Sequence, residues 1–277
     1  MDLPARGERV RSLGLAVPPQ PMPLFRRARL RKRWRYVGYY AADLMLCVGD
    51  ARIGPIPQRW WAVATPGGEL RQATSIGPGG VRMEGSHVSV TADGVRVELE
   101  LTESDGVETA SPIGDRGNYI WTRKQGSVPA RGVVELAGDR HEITGPAFVD
   151  ESAGYHHRHT AWKWSAGNGR TNDGHEVAWN LVEGVHDAPA ESERTLWVDG
   201  VARELAPVEF ASDLSSVSFG GGEALTFQEW SAREERMNML LLRSTYRQPF
   251  GTFAGTLPGG ISLAEGYGVM VEHDVYW

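Results

Sequence analysis

The stretch His87–Leu101, HVSVTADGVRVELEL, decides the fold class of this chain. Apolar and polar side chains alternate in both halves of it, and a period of two is the pattern of a β-strand with one buried face. Ala92-Asp93-Gly94 separates the two halves, and Asp-Gly is a preferred pair in tight hairpin turns. The stretch therefore predicts a β-hairpin.

The same signals recur along the chain from Trp34 onward. Turn sequences such as Asp199-Gly200 separate short alternating runs, and the 34 glycines among 277 residues imply many turns. We find no helical periodicity long enough for a sizeable helix. The sequence therefore predicts an all-β chain with about 16 to 20 short strands, arranged as two antiparallel β-barrels packed together.

The predicted organisation has three parts. Residues 1–30 form an extended basic, proline-rich arm, residues 31–135 the first β-barrel and residues 136–277 the second. Residues 26–35 carry seven arginines and lysines and no acid, although the whole chain has a net charge of -6. This run has no regular spacing, so we interpret it as a solvated arm, or as one that folds back onto the acidic body, and not as a nucleic-acid site.

The single cysteine, Cys47, excludes an intrachain disulfide and lies in the apolar run Leu44–Val48, where we expect a buried, unreactive thiol. The N-terminal residues contain no apolar core of a secretory signal. No stretch approaches the roughly 18 apolar residues of a membrane-spanning helix. We therefore expect a cytoplasmic protein without a membrane span.

A second stretch, Gly154–Gly167 (GYHHRHTAWKWSAG), concentrates side chains that bind and react. We predict a strand here and a partner strand over His175–Val182. Alternate residues of a strand share a face, and a mainly aromatic wall with a few polar groups is typical of a pocket for apolar ligands. The predicted ligand-binding residues are Tyr155, Arg158, Trp162, Trp164, Trp179 and Asn180.

Three residues around this hairpin are the candidate catalytic groups: Asp150, His156 and Glu176. A carboxylic acid beside an apolar wall has a raised pKa and can donate a proton at neutral pH. Histidine can donate or accept a proton, and aromatic faces stabilise a developing carbocation. This combination suits hydration, cyclisation or migration of a double bond.

Two other kinds of function stay open. A non-catalytic carrier or sensor of a lipid-like ligand needs no ionisable group facing that ligand. A metal-dependent β-barrel enzyme would use His157 and His159, which share a strand face. A third ligand with suitable spacing is lacking along the strand, although His175 or Glu176 could supply it from across the hairpin. Because Lys163 on the same face opposes a cation, we predict no metal and no other cofactor.

Several segments together resemble the family called domain of unknown function 2804. The resemblance extends over nearly the whole chain after about residue 20, and the family name implies no activity. The segments that carry it are Tyr36–Tyr40, Asp43–Asp50, Gln58–Trp61, Asp150–Tyr155, Thr160–Trp164 and Gly268–His273 with Trp277.

At greater distance, the turn Asp150–Gly154 before a tryptophan-rich strand is similar to the lipocalin-like double barrels, which include carotenoid hydratases, tocopherol cyclases and fungal Diels–Alder cyclases. Ala153 stands where a tryptophan is expected in that turn. The resemblance implies an apolar ligand held between two barrels and acid-assisted chemistry on an isoprenoid or polyketide.

We therefore predict a protein that binds a hydrophobic small molecule, isoprenoid- or polyketide-like, in a tryptophan-lined cavity. The expected activity is cofactor-free acid/base chemistry of the lyase (hydratase) or isomerase (cyclase) type. The ligand is the expected partner, nucleic acid is not expected, and self-association into a homo-oligomer is left open.

Overall fold

The computed structural model describes residues 3–77, 79–114, 117–239 and 242–277. The all-β prediction is confirmed: within these residues a four-residue helix, α1 (Arg9–Ser12), is the one α-helix. The N-terminal segment also contributes β1 (Ala5–Arg6) and a small hairpin formed by β2 (Phe25–Arg26) and β3 (Arg29–Leu30).

The first large sheet is entirely antiparallel and contains β1 and ten longer strands. Nine of the ten follow the order β7-β6-β5-β4-β13-β12-β10-β9-β8, and the tenth, β11, pairs with β1 and β12. The ten strands are β4 (Lys32–Tyr40), β5 (Met45–Ile53), β6 (Ile56–Ala64), β7 (Leu70–Ile76), β8 (Val81–Glu84), β9 (His87–Ala92), β10 (Val95–Leu101), β11 (Val107–Ile113), β12 (Asn118–Leu136) and β13 (Asp139–Gly154).

The second large sheet is also antiparallel, with the order β17-β16-β15-β14-β22-β21-β20-β19-β18. Its strands are β14 (His159–Thr171), β15 (Glu176–Glu183), β16 (Thr195–Val198), β17 (Val201–Glu204), β18 (Val208–Phe210), β19 (Ser216–Phe219), β20 (Ala224–Met239), β21 (Leu242–Leu257) and β22 (Ile261–Tyr276). Each sheet curls into a half-barrel, so the predicted two-barrel architecture is confirmed.

The division between the two sheets falls at residues 155–158 and not at the predicted position 135/136. Strand β13 turns back after β12 and pairs with it from Leu136 opposite Asp139 to Ile120 opposite Gly154. The first sheet therefore continues to Gly154, and the second sheet begins at His159.

Several strands are much longer than the sequence predicts. Strand β12 has 19 residues and unites two predicted short strands, Tyr119–Lys124 and Gly132–Leu136. Its register with β13 shifts between Gln125 and Val128, where Ser127 has a positive φ of 56°. A bulge of this kind bends a strand without ending it, so a turn-like sequence lies inside a continuous strand.

Three apolar clusters show how the half-barrels are filled and joined. One cluster lies within the first sheet around Leu46, Val97 and Val134, and another within the second around Trp179 and Leu196. A third cluster takes members from both sheets. It joins the two faces that meet: Tyr36, Tyr40, Met45, Cys47, Ala62, Ala64 and Phe148 from the first sheet, and Trp164, Ala166, Ala178, Val182, Trp197, Phe250, Val269 and Val271 from the second.

The N-terminal segment packs onto the first sheet. Val10, Val17 and Met22 are buried against Tyr119 and Tyr155. The Tyr119 hydroxyl donates to the carbonyl of Ala16 at 2.6 Å, and the Tyr155 hydroxyl donates to the carbonyl of Pro23 at 2.8 Å. The segment before residue 26 therefore lies against the body, and the basic run that follows it continues into β4.

Cys47 is fully buried in the cluster between the sheets, as predicted, and burial raises the pKa of its thiol to about 11. Across the described ranges, no helix has the length and apolar character needed to cross a membrane.

Candidate functional site

A cavity of about 170 Å³ lies between the two sheets and is lined by both. The first sheet contributes side chains from β4, β5, β6, β12 and β13, and the second from β14, β15, β20, β21 and β22. Since each sheet has its own filled core on its other side, the cavity exists only because the two sheets pack against one another.

Aromatic rings form most of the apolar wall. Trp162 and Trp164 are alternate residues of β14 and therefore point the same way. The Trp164 ring meets Tyr36 edge-on at 5.5 Å between centroids, and Trp162 lies 4.4 Å from the His273 ring. The aromatic lining residues are Trp34, Tyr36, Trp60, Trp162, Trp164, Tyr246 and Trp277.

A buried ion cluster stands at the β12–β13 side of the cavity. The Lys124 ammonium donates to Asp150 Oδ1 at 2.5 Å and lies 3.3 Å from Glu193 Oε1. The Trp34 indole donates to the other Asp150 oxygen at 3.2 Å. Burial lowers the pKa of Lys124, but the two carboxylates outweigh it and the pKa is raised. The lysine is therefore held as an ammonium.

The two carboxylates respond differently to the same lysine. Burial raises the pKa of Asp150, and Lys124 opposes this without cancelling it. Burial also acts to raise the pKa of Glu193, but Lys124 and then His186 outweigh it, so its pKa is lowered. With both oxygens of Asp150 accepting hydrogen bonds, that carboxylate is fixed in position.

His156 lies in the connection between the sheets and reaches the cavity. It is 3% exposed, and neither ring nitrogen has a hydrogen-bond partner among the residues that the structure describes. Its ring lies 5.1 Å from that of Trp34. Burial and then the charge of Lys32 hold the pKa of His156 well below its usual value, so the imidazole is neutral.

His186 shares these properties. It lines the cavity, is buried, and has no partner for either ring nitrogen within the described part of the chain. Burial lowers its pKa, although Glu193 opposes the effect. The cavity is thus lined by two neutral imidazoles whose nitrogens have no hydrogen-bond partner among the described residues.

A second cluster of polar side chains lies at the β7–β20 side of the cavity. The Arg233 guanidinium donates to Thr74 Oγ1 at 2.7 Å and lies 3.4 Å from Glu235 Oε1. It also lies 4.9 Å from the ring centroid of Tyr246. Nearby, burial lowers the pKa of His273 to about 3, and its Nε2 is 2.8 Å from the Ser244 hydroxyl.

A buried hydrogen-bond network lies next to the aromatic wall. The Tyr246 hydroxyl donates to Gln248 Oε1 at 2.5 Å, and the Gln248 amide donates to the Tyr36 hydroxyl at 3.0 Å. The hydroxyls of Tyr36 and Tyr40 are 2.9 Å apart. Burial raises the pKa of all three tyrosines, so they stay protonated and serve as neutral donors.

Four of the predicted site residues come together in this cavity: Asp150, His156, Trp162 and Trp164. A fifth, Asn180, lies directly behind the wall. Its Oδ1 accepts from the Trp164 indole at 2.8 Å, and its amide donates to the carbonyl of Glu193 at 2.8 Å. Asn180 therefore orients a lining residue without lining the cavity.

The other four predicted residues lie elsewhere. Trp179 lies on the face of β15 that points away from the cavity, and it packs against Phe253 in the core of the second half-barrel. Tyr155 is buried under the N-terminal segment. Arg158 is exposed, and so is Glu176, which pairs with Arg170 at 3.5 Å.

The histidines of the alternative metal hypothesis make other contacts. His159 stacks on Tyr276 and lies 3.1 Å from Asp274, and His157 lies 3.3 Å from the Arg29 guanidinium. Both are exposed. The described residues contain no group of three or more histidine, cysteine, aspartate or glutamate side chains arranged to hold a metal ion.

Comparison with known proteins places this geometry in context. The family model named domain of unknown function (DUF2804) matches residues 72–277. No curated protein matches the chain.

Two solved structures share the fold. One, a protein from Nitrosomonas europaea designated a candidate AttH, is 14% identical with a TM-score of 0.57, over 94% of this chain and 99% of that one. Kievitone hydratase from Nectria haematococca is 12% identical with a TM-score of 0.54, over 88% of each chain. At these identities the likeness concerns the fold alone.

Proposed function

The chain belongs to the domain of unknown function 2804 family, and on that premise we propose that its cavity binds a hydrophobic small molecule, isoprenoid- or polyketide-like, and transforms it by cofactor-free acid/base chemistry. Hydration, cyclisation and double-bond isomerisation are the reaction types considered. The shared fold of kievitone hydratase, a hydratase by name, supports this choice of reaction class.

The composition of the wall supports an apolar ligand. Apolar atoms form most of the cavity surface, while half of the lining residues are polar or charged and place their polar atoms at particular points of the wall. A mainly apolar surface with polar atoms at fixed points is the usual character of small-molecule sites. Flat rings such as Trp162 and Trp164 offer a large contact area and stabilise positive charge that develops on a substrate.

His156 is the observation that carries the proposed chemistry. A buried polar atom without a hydrogen-bond partner is rare in a folded protein, and as far as the described ranges extend both nitrogens of this ring are in that state. A neutral imidazole holds a proton on one nitrogen and accepts one on the other. His156 can therefore take a proton from a substrate carbon or from water and return it elsewhere on the substrate.

Isomerisation and hydration both balance with His156 as the group that carries the proton. In isomerisation, His156 removes a proton from one carbon and delivers one to another. In hydration, the oxygen of water bonds to one alkene carbon while the proton that water loses reaches the other carbon through the imidazole. Asp150 is the alternative proton donor, but both of its oxygens already accept hydrogen bonds, so we assign it an electrostatic role.

A carrier of a lipid-like molecule is the second candidate. One observation favours it: the charges of Lys124, Asp150 and Glu193 are directed at one another and not at the cavity centre. If the protein is a carrier, His156 and His186 are not needed for its function.

The test combines binding with turnover. Binding is followed with N-phenyl-1-naphthylamine, a neutral apolar fluorophore, and its displacement by a panel of unsaturated isoprenoids and polyketides. Turnover of the same panel is followed by mass spectrometry in ¹⁸O-labelled water and in D₂O. His156→Phe removes both nitrogens and keeps an aromatic ring, and Glu176→Gln is the matched control outside the cavity.

We expect His156→Phe to bind the fluorophore but to lose turnover by about 10²-fold or more, with Glu176→Gln unchanged. Binding without any isotope incorporation in the unmodified protein supports the carrier. Undiminished turnover by His156→Phe contradicts the assigned chemistry, and failure to bind any apolar compound contradicts the proposal as a whole.

A further inference from the structure

Lys32 is a buried cation of the cavity that has no counter-ion within the part of the chain that the structure describes. It is the first residue of β4, lines the cavity and is 5% exposed. Its ammonium lies 4.3 Å from the ring centroid of Trp277. Among the described residues, no carboxylate lies within ion-pair distance of it.

The other buried cations of the cavity are compensated. Lys124 has two carboxylates, and Arg233 has Glu235 at 3.4 Å. Charges taken out of water are normally paired, because the loss of hydration is costly. Lys32 therefore stands out as a charge for which the protein supplies only an aromatic face.

The neighbours of Lys32 in the sheet, in the β2–β3 hairpin and in the connection between the sheets are uncharged or positive. In the sheet its register neighbours are Ile53 on β5 and Gly154 on β13. The β2–β3 hairpin contributes Arg29, whose charge adds to the effect of burial, and together they lower the pKa of Lys32 to about 7. The connection between the sheets contributes the neutral His156.

We propose that Lys32 anchors an acidic group of the ligand, a carboxylate or an ionised enol or phenol, with an imidazole nitrogen of His156 as a second donor. This deepens the proposed function and rests on it. The ligand is then an apolar organic acid. Its charged end meets Lys32 beside Trp277, and its carbon skeleton extends along Trp162 and Trp164.

A charge-assisted hydrogen bond to an ammonium is among the stronger polar contacts in proteins. Here it would also neutralise the charge that burial penalises, so binding an anion raises the pKa of Lys32 again. Above about pH 7 the free protein has released this proton, and an anionic ligand must bind together with a proton. Affinity for an acid therefore falls as the pH rises above that value.

The experiment compares decanoate with 1-decanol, two probes of equal chain length that differ in charge, by isothermal titration calorimetry at pH 6 and pH 8.5. Lys32→Met removes the ammonium and keeps an unbranched side chain that is only one atom shorter. Lys163→Met is the matched control, since Lys163 lies on β14 outside the cavity and donates to the carbonyls of Phe210 and Ala211.

We expect the unmodified protein and Lys163→Met to prefer decanoate by about tenfold or more at pH 6, and the preference to shrink at pH 8.5. In Lys32→Met the preference disappears while decanol still binds. Equal affinity for both probes in the unmodified protein, or an intact preference in Lys32→Met, overturns the anchor alone. Absence of binding by both probes in every variant counts against the proposed apolar cavity instead.

Discussion

Lys124 and Asp150 lie directly opposite one another on β12 and β13, and their charged atoms, 2.5 Å apart, form an ion pair inside the molecule. The same ammonium lies 3.3 Å from Glu193, which belongs to the segment between β15 and β16 of the second sheet. One lysine of the first sheet is thus bound electrostatically to the other half of the protein.

Removing this lysine is expected to be far more damaging than removing one of its partners. Lys124→Met leaves two buried carboxylates uncompensated, and we expect a loss of about 3–5 kcal/mol in the free energy of unfolding. Asp150→Asn leaves the lysine paired with Glu193 and costs less. Chemical denaturation of both variants checks this order, and equal stability of Lys124→Met and the unmodified protein would contradict it.

The buried charge of Lys32 predicts a pH-dependent stability difference. The pKa of Lys32 is about 7 in the folded protein against 10.5 for an ordinary lysine. Between these values the unfolded chain holds a proton that the folded chain has released, so stability contributed at this site rises with pH. Lys32→Met should melt on the order of 5 °C higher than the unmodified protein at pH 6.

That advantage should decline steadily between pH 7 and pH 10, because folding must release the Lys32 proton and this release costs less as the pH approaches the ordinary lysine pKa of 10.5. Thermal melts of the two proteins in parallel across this range provide the measurement. A difference in melting temperature that stays constant with pH would show that the folded and unfolded chains bind this proton equally, and would contradict the lowered pKa of Lys32.

Trp162 and Trp179 should separate ligand binding from folding. Trp179 is fully buried in the core of the second half-barrel, so Trp179→Ala should cost about 3–5 kcal/mol of stability. Trp162 is only partly buried and lines the cavity, so Trp162→Ala should weaken binding of an apolar fluorophore while leaving stability nearly unchanged. The reverse assignment of the two effects would contradict the placement of the cavity.

Cys47 should be inert until the sheets separate. It is fully buried between them, and burial raises the pKa of its thiol to about 11, so it presents no thiolate at neutral pH. We expect no reaction with a thiol reagent in the native protein and complete reaction in denaturant. Ser218→Cys, at an exposed position, is the control that should react at once, and rapid labelling of native Cys47 would contradict this packing.

Features fixed by neighbouring residues could be predicted from the sequence. The turns at Asp93-Gly94 and Asp199-Gly200 carry their own conformational preference, and both hairpins are seen, as β9–β10 and β16–β17. Strand lengths and the division between the sheets could not be predicted. They depend on pairing over the whole length of β12 and β13, and on a bulge that no local pattern marks.

The candidate site, too, could be predicted only where neighbouring residues determine its structure. Alternation along β14 correctly places Trp162 and Trp164 on one face, but the strand begins at His159, so alternation says nothing about Tyr155 or Arg158. Sequence reasoning did not single out Lys124 as a site residue. Its buried position depends on carboxylates 26 and 69 residues further along the chain, at 150 and 193.

Other site residues were missed for the same reason. Lys32, Glu193, Arg233 and His273 enter the cavity from different strands and connections of two sheets, and only the folded arrangement brings them together. No local pattern marks the two cations, since Lys32 stands among Arg31, Arg33 and Arg35, and Arg233 precedes Glu234 and Glu235.

The cavity between two independently filled half-barrels has a consequence for how such a protein diversifies. Residues that shape the cavity are largely distinct from those that fill either core. A substitution at Trp162, Val185 or Met237 alters the space available to a ligand and leaves the side chains that pack both half-barrel cores unchanged. Mutation can therefore explore new ligands on a scaffold whose folding it leaves almost untouched.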